Sequence, residues 1–333
     1  MKQILALLLI FTIFSQFQAF VRKEFNLRPI KQIDETRESG SSLKALLIGD
    51  YGTANDDQKK VAEQFNSVGE NIKAEFVLSF GDNFYDPNGV SGVDDESWNT
   101  HWKDVYQNKS YLKNLKWYGV LGNHDYGGSD LYAEFKYKES GWVIEDFFWT
   151  QTFEVQGKKV AIVHIDTSFL AYTKIGEPSI PQMNTYFQEQ GWNKDQDILD
   201  LVEAQLKKHK DYDWIIVTGH HQIGFSCFPV LNTGKLYPLF QKYKVDAYFS
   251  GHSHTLSYTQ QEGMAVVLSG AGGKSYINEC SVVGPMWSKG SVFGFMSMEL
   301  KADTMTITAH YTADDWKGEW ESHVLPSSIR RDK

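Results

Sequence analysis

Five short polar motifs, each directly after an apolar, strand-like run, constrain this chain of 333 residues most strongly. They are G-D at 49–50, G-D-N-F-Y at 81–85, G-N-H-D at 122–125, G-H-H at 219–221 and G-H-S-H at 251–254. An open α/β sheet gathers the residues that follow its strands into one crevice at their carboxyl ends. We therefore expect the five motifs to meet in space, although they are far apart in sequence.

The motifs supply oxygen and nitrogen donors for metal. The expected ligands are Asp50, Asp82, Tyr85, Asn123, His220, His252 and His254. Seven such donors suffice for two ions about 3.5–4 Å apart, the arrangement used for in-line phosphoryl displacement. A Gly-Asp pair alone is more typical of a solvated turn or a helix cap than of a metal site. The combination of motifs predicts a dinuclear metallohydrolase.

Tyr85 is the most informative single residue of this set. A phenolate is a poor ligand for Zn²⁺ or Mg²⁺ but suits a hard trivalent ion such as Fe³⁺. Taken alone, a tyrosine at this position would rather be expected to pack or hydrogen-bond as a half-buried loop residue.

The paired histidines suggest how two ions are divided. His252 and His254 are two residues apart, so in extended backbone their rings point to opposite sides and can serve different ions. His220 and His221 are adjacent, and we expect His220 to be the ligand because it directly follows a glycine, as Asp50, Asp82, Asn123 and His252 do.

From the motifs themselves, His124 and Asp125 are the predicted catalytic residues. His124 is expected to face a substrate oxygen, with Asp125 holding its ring and tautomer. His164 lies within an apolar run and is expected to be a core residue. The remaining histidines lack a metal-like neighbourhood; they are His101, His209, His310 and His323.

Apolar runs and helix-compatible segments alternate along the chain. The runs predicted as strands are 43–48, 75–80, 117–121, 159–165, 213–218, 245–250, 264–269, 292–299 and 304–311. Helical spacing of apolar residues predicts helices within 56–73 and 195–209. Alternating strands and helices favour a largely parallel sheet, and the strand-rich C-terminal third favours antiparallel pairing. One α/β domain with two sheets, spanning 43–333 after a lead segment at 20–42, fits this pattern.

The formal net charge of −9 leaves no basic face for nucleic acid or for an acidic membrane. An anionic substrate would have to be attracted locally, and bound cations would do this.

The first nineteen residues predict a signal peptide. Lys2 precedes an apolar stretch over 4–14 that is too short to span a bilayer, and Ala19 is a small residue at the cleavage position. A buried N-terminal helix and an uncleaved anchor are the alternatives. Export would place the protein outside the cell or in a lysosomal or vacuolar lumen.

Export also affects the two cysteines and one asparagine. Cys227 and Cys280 could form one disulfide in an oxidising compartment, or remain two independent buried thiols. Asn108 begins the glycosylation tripeptide Asn-Lys-Ser, which matters only in the secretory pathway.

Together, the motifs G-D, G-D-x-x-Y, G-N-H-D, V-x-x-H and G-H-x-H resemble those of the purple acid phosphatases, within the calcineurin-like metallophosphoesterases. Size, leader and spacing are similar to the small, mammalian-type (tartrate-resistant) branch. The match covers about 45 to 273. It implies a β-sandwich of two sheets flanked by helices, in four layers (αββα).

The resemblance also implies how the ligands are divided. Asp50, Tyr85 and His254 would bind Fe³⁺, and Asp82 would bridge the two ions. Asn123, His220 and His252 would bind a divalent ion, which could be iron, zinc or manganese.

A phosphate monoesterase active in acid follows, because water bound to Fe³⁺ ionises at far lower pH than bulk water. Small phosphorylated molecules and phosphoproteins are the expected substrates, and a monomer the expected state. One departure concerns the second substrate histidine of the small members, whose position holds Pro229; His221 could replace it. A phosphodiesterase of the same superfamily and a secreted iron-binding or redox protein are the alternatives, and Tyr85 disfavours the first.

Overall fold

A computed structural model describes residues 31–34, 41–172, 182–224, 230–275, 287–312 and 318–326. The predicted leader at 1–19, both cysteines (Cys227 and Cys280) and Pro229 lie outside the described residues. The predicted disulfide and signal peptide therefore stay predictions.

The described strands form two mixed sheets. The order in the first sheet is β1 (Lys31–Asp34), β6 (Phe148–Val155), β7 (Lys158–Ile165), β8 (Trp214–Thr218), β9 (Ala247–Ser250), β11 (Met264–Ser269), β10 (Leu256–Gln261) and β12 (Trp287–Lys289). The order in the second sheet is β15 (Gly318–Pro326), β14 (Thr304–Thr312), β13 (Phe293–Leu300), β2 (Leu43–Ile48), β3 (Phe76–Ser79), β4 (Lys116–Gly119) and β5 (Trp142–Val143).

Helices fill the connections between strands. The described ones are α1 (Asp56–Ile72), α2 (Trp98–Gln107, of the wide π type), α3 (Ala133–Lys136), α4 (Ser168–Tyr172), α5 (Gln182–Glu189), α6 (Asp195–Lys208) and α7 (Tyr237–Lys242). Among the described helices, none combines the length and the apolar character needed to cross a bilayer.

Alternating residues of each strand serve two different cores, which makes the molecule four layers deep. Leu43, Ala45 and Leu47 of β2 face the other sheet, whereas Leu46 and Ile48 belong to the core beneath the helices. This alternation is the period of two expected for an extended strand. The predicted two-sheet sandwich flanked by helices is thus confirmed.

Direct ring contacts join the layers. Phe76 of β3 stacks on Phe153 of β6, with ring centres 5.1 Å apart, across the space between the sheets. On the outer side, Phe65 of α1 meets Phe295 of β13 edge to face at 4.7 Å. Aromatic pairs in these arrangements stabilise a core beyond the area that they bury.

The two helices predicted from apolar spacing are present. In α1, Asn55 caps the N-terminus by accepting the Gln58 N–H at 2.8 Å, and Lys73 ends the helix in the left-handed region at φ 57°. In α6, Ile198 and Val202 are fully buried on the face that packs against the first sheet.

The expected lead segment at 20–42 contains one described strand. Lys31–Asp34, inside the expected lead segment, pairs in parallel with β6 as an edge strand. The charged composition of this segment gave no indication of a strand. The strand lies at the edge of the first sheet, where polar residues are tolerated. As predicted, the C-terminal third pairs antiparallel, with β13 between β14 and β2.

His164 is the predicted core histidine, and it makes the fold sensitive to acid. It is fully buried, stacks on Trp149 at 3.9 Å and lies 2.8 Å from Thr218 Oγ1 through its Nδ1. Burial lowers the pKa of His164 to about 3, so the folded chain keeps the ring neutral where the unfolded chain protonates it.

We expect His164 to contribute stability that is complete above its unfolded pKa of about 6.5 and is lost as the pH falls toward the folded value. Between pH 7 and pH 5 the loss is about 2 kcal/mol. Urea unfolding of the wild type and of His164→Asn at both pH values measures it. Equal pH slopes for the two proteins would refute the prediction.

Candidate metal centre

All seven predicted ligands come together at the carboxyl ends of strands from both sheets. Three loops follow β2, β3 and β4 of the second sheet and carry Asp50, Asp82 and Asn123. Two loops follow β8 and β9 of the first sheet and carry the histidines. The crevice therefore lies along the shared edge of two packed sheets, rather than at a single open sheet as the motifs alone suggested.

Left-handed backbone at the donor residues themselves aims several of the side chains. Asp50, Asp82 and His252 have φ of 57°, 52° and 72°. Such values are uncommon outside glycine and concentrate at functional sites. Among the glycines that precede these donors, Gly81 also has a positive φ, of 83°. Gly251 acts differently, because a Cβ there would lie 2.4 Å from Asp50 Oδ2.

The first donor group surrounds the Tyr85 hydroxyl. Tyr85 Oη lies 3.1 Å from Asp50 Oδ1, 2.7 Å from Asp82 Oδ2 and 3.4 Å from His254 Nε2. His254 Nε2 is also 3.5 Å from Asp50 Oδ1. Four donors of three chemical types, a phenol, two carboxylates and an imidazole, thus share one small volume.

The second donor group surrounds the Asn123 side-chain oxygen. Asn123 Oδ1 lies 3.1 Å from His220 Nε2 and 2.9 Å from His252 Nδ1. His220 lies 2.7 Å from the carbonyl of Phe80 through its Nδ1, and a proton donated there leaves Nε2 with a lone pair facing the site.

Asp82 stands between the two groups. Its Oδ2 is 2.7 Å from Tyr85 Oη and 3.4 Å from His220 Nε2. Its Oδ1 is occupied by the backbone N–H of His124 at 2.8 Å. Asp50 is arranged alike, since Oδ2 accepts the His252 N–H at 2.8 Å and Oδ1 faces the site. Each carboxylate thus has one oxygen fixed by backbone and one presented to the centre.

The site favours positive charge. Burial by itself lowers the pKa of His220, but Asp82 and Asp50 outweigh it and raise the value to about 9. Burial and the neighbouring His220 lower the pKa of His252 to about 3. The two carboxylates thus favour a proton on His220, although its ring is buried.

The phenol of Tyr85 behaves as expected of a ligand without its cation. Burial, together with the carboxylates of Asp50 and Asp82, raises its pKa well above the usual range. A cation among these oxygens reverses that effect and favours the phenolate. The donor set therefore fits two cations, a hard one beside Tyr85 and one beside the histidines. Three-residue groups with metal-ligand spacing are present on both sides: Asp50, Asp82 and His254, and His220, His221 and His252.

His124 borders the site, but Asp125 does not hold its ring as predicted. The His124 side chain is 32% exposed, and its Nε2 is 4.0 Å from Asp82 Oδ2. Its Nδ1 pairs with Asn88 Oδ1 at 2.7 Å. Asp125 instead points inward and accepts the backbone N–H groups of Gly122 and Asn83 at 2.7 and 2.8 Å. The adjacent side chains of His124 and Asp125 point in different directions in this turn. The prediction was wrong because it took neighbours in sequence to be in contact.

His221 is fully buried behind the second donor group. Thr167 Oγ1 contacts its Nδ1 at 2.9 Å and accepts its backbone N–H at 3.0 Å. Its Nε2 has no hydrogen-bond partner among the described residues. The ring centre is 4.5 Å from that of His252. A catalytic role for His221 stays a prediction.

A model of the calcineurin-like phosphoesterase family matches residues 43–256. The chain belongs to this family. Purple acid phosphatase 7 of Arabidopsis thaliana is 32% identical over 247 residues, which cover 71% of this chain and 72% of that protein. Tartrate-resistant acid phosphatase type 5 of Oryctolagus cuniculus is 30% identical over 301 residues, covering 80% and 86%. The predicted resemblance is confirmed, and this member of the family is an acid phosphatase that uses metal.

Solved structures agree on the fold. Purple acid phosphatase PPD1 from yellow lupin superposes with a TM-score of 0.61 at 15% identity, covering 87% of this chain and 54% of that one. GAP50, the anchor in the inner membrane complex of Plasmodium, superposes at 0.69 with 23% identity, covering 86% and 89%.

Sequence reasoning missed three residues that contact the site. Asn88 pairs with His124, Lys274 lies over the Tyr85 ring, and His101 lies 3.0 Å from the Tyr85 carbonyl through Nε2. Asn88 could have been noticed, because it follows Tyr85 closely in the turn D-P-N-G. Nothing in the sequence distinguishes Lys274 from surface lysines.

Proposed function

We propose that this phosphatase hydrolyses phosphate monoesters at acid pH with two unlike cations. Fe³⁺ would be held by Asp50, Tyr85 and His254, and a divalent iron, zinc or manganese ion by Asn123, His220 and His252. The observation that supports this most directly is the position of Asp82 Oδ2, within 3.4 Å of a donor from each group. When bound, the cations would supply charge to the phosphoryl oxygens and acidify the attacking water.

Side chains of the protein then orient the substrate and exchange protons with it. His124 reaches the open side of the site and can contact a phosphoryl oxygen or protonate the leaving oxygen. Asn88 Oδ1 accepts from Nδ1–H, which keeps Nε2 directed toward the site. The buried carboxylates hold the backbone of neighbouring loops, so the donors are placed before substrate arrives.

Metal analysis and a visible spectrum of the purified protein test the proposal. About two metals per chain, one of them iron, and a broad band in the green-to-yellow region are expected. Tyr85→Phe is the matched variant and should lose the band, since it lacks only the phenol oxygen. Phenyl phosphate should be cleaved faster than diphenyl phosphate, with an optimum below neutrality. A colourless, zinc-only protein that prefers the diester would instead identify a phosphodiesterase.

His124→Ala is expected to lower kcat on alkyl phosphates by about a hundredfold, in the range of positioned acid–base groups. The loss should be smaller on 4-nitrophenyl phosphate, whose leaving group needs no proton. Asn88→Ala should lower kcat about tenfold, and again more on alkyl phosphates than on 4-nitrophenyl phosphate. The reason is that Asn88 acts through the His124 ring. Steady-state kinetics measure both variants, with His310→Gln as the control far from the site. Equal losses on the two ester types would contradict a leaving-group role.

The location and state of assembly are also proposals. The leader-like sequence at 1–19 supports export, to the outside of the cell or to a lysosomal or vacuolar lumen. In that case Asn108, exposed at the end of α2, is available for glycosylation. Substrates are expected to be small phosphorylated molecules and phosphoproteins, bound by a monomer without nucleic acid or stable membrane insertion.

A further inference from the structure

Lys274 places an ammonium group at the edge of the metal centre. Its Nζ is 4.3 Å from the centre of the Tyr85 ring. The His124 ring centre is likewise 4.3 Å from the centre of the Tyr85 ring. Lys274 and His124 therefore border the same aromatic ring, the hydroxyl of which lies within the first donor group. The ammonium group of Lys274 and the His124 ring thus both contact the ring of a predicted ligand, Tyr85.

The backbone just before Lys274 is tied to the rest of the site. The carbonyl of Gly273 accepts from Asn55 Nδ2 at 3.1 Å and from Thr53 Oγ1 at 3.4 Å. Both donors lie in the turn between β2 and α1, which also carries Asp50. The position of the lysine is thus set by the same loop that supplies a predicted ligand.

The ammonium group of Lys274 keeps capacity for an anion. The side chain is 34% exposed, and its carboxylate neighbour is Asp86, 3.9 Å away with a side chain that is 83% exposed. A surface pair of this kind contributes little, and solvent screens it. The ammonium group contacts the face of the Tyr85 ring, and this contact leaves N–H groups of Lys274 available to donate.

We propose that Lys274 binds the part of the substrate that is not transferred, and that it selects phosphate esters and anhydrides whose leaving group carries its own negative charge. This rests on the proposed function, in which the donor groups take the transferred phosphoryl and His124 faces the leaving oxygen. A second phosphate and a carboxylate share the required chemistry, since each accepts hydrogen bonds from an ammonium group.

Three substrates with one common reaction test this role: phenyl phosphate, 4-carboxyphenyl phosphate and pyrophosphate. In Lys274→Met, kcat/KM for pyrophosphate should fall about tenfold more than kcat/KM for phenyl phosphate, the size of one hydrogen bond between charged groups. Lys274→Arg should keep most of the wild-type ratio. Lys289→Met is the matched control, because Lys289 also lies over a tyrosine ring, that of Tyr311 at 5.5 Å. Its ratio should equal that of the wild type.

Binding supplies a readout that is independent of turnover. Calorimetry should show that Lys274→Met weakens the binding of methylenediphosphonate, a non-hydrolysable analogue of pyrophosphate, relative to the binding of orthophosphate by the same factor. A parallel loss for 4-carboxyphenyl phosphate would show that any anionic leaving group is recognised, whereas a loss for pyrophosphate alone would assign the site to a second phosphate. Should Lys274→Met not fold, Lys274→Gln takes its place.

Equal losses on all three substrates, or ratios unchanged from wild type, would overturn the inference, because Lys274 would then act through Tyr85 or not at all. A wild-type protein inactive on every phosphate ester would count against the proposed function instead. The two failures are therefore distinguishable.

Discussion

Replacing Asp82 by asparagine is expected to lower kcat by on the order of a thousandfold and to release at least one cation. Its Oδ2 lies 2.7 Å from Tyr85 Oη and 3.4 Å from His220 Nε2, so it is the oxygen placed to serve both ions. The amide loses the charge that a bridging ligand provides. It still accepts the His124 N–H, so the loop should stay in place. Steady-state kinetics and metal analysis on the same preparation measure both effects.

Asp246→Asn is the matched control for this variant. Asp246 is a buried carboxylate just before β9, where its Oδ2 accepts the Ile215 N–H at 2.7 Å. It lies at the opposite end of that strand from His252, so we expect turnover within about twofold of wild type, as for changes away from the chemistry. An Asp82→Asn protein that keeps two metals and full turnover would refute the bridging role.

Asp125→Ala is expected to destabilise the fold by about 3–5 kcal/mol, the range for several buried groups left unpaired. Asp125 Oδ1 accepts the N–H groups of Asn83 and Phe84 at 2.8 and 3.1 Å, and Oδ2 accepts that of Gly122 at 2.7 Å. These three backbone donors belong to the loops that carry Asp82 and Asn123. Their loss of a partner should therefore loosen the metal centre as well. Urea unfolding and metal analysis report the two effects.

A substitution of the buried acid Glu134 provides the comparison for Asp125→Ala. Burial, reinforced by the nearby Asp82 carboxylate, raises the pKa of Glu134 to about 8, so at working pH this side chain is protonated. Its Oε2 accepts from Asn83 Nδ2 at 2.9 Å, which a glutamine can reproduce. Glu134→Gln should thus cost less than about 1 kcal/mol. If Asp125→Ala proved as mild as Glu134→Gln and mainly slowed catalysis, the ring-holding role that we rejected would be restored.

The candidate ligands were predictable because each followed an apolar run. Strands buried on both faces are continuous in apolar residues, so β2, β3, β8 and β9 were visible in the sequence, and the residues after them had to lie at one edge. The sequence did not show which of these side chains would contact one another. Asn88, which was not predicted, contacts the His124 ring in place of Asp125, because the turn directs adjacent side chains differently.

Other elements were hidden for identifiable reasons. Strand β1 carries the charged, polar sequence K-Q-I-D, which an edge strand tolerates because one side faces solvent. Helix α2 is of the wide π type, whose period differs from the 3.6 residues sought by helical spacing. Lys274 was unrecognisable, since only the folded turn brings it over Tyr85.

Anomalous diffraction from crystals of the metal-loaded protein is the most direct measurement of the central claim. Data collected on both sides of the iron edge should show two peaks about 3.5–4 Å apart, each in contact with a carboxylate oxygen of Asp82. The peak beside Tyr85 should be iron. A single ion, or a pair of ions that Asp82 does not touch, would contradict the account.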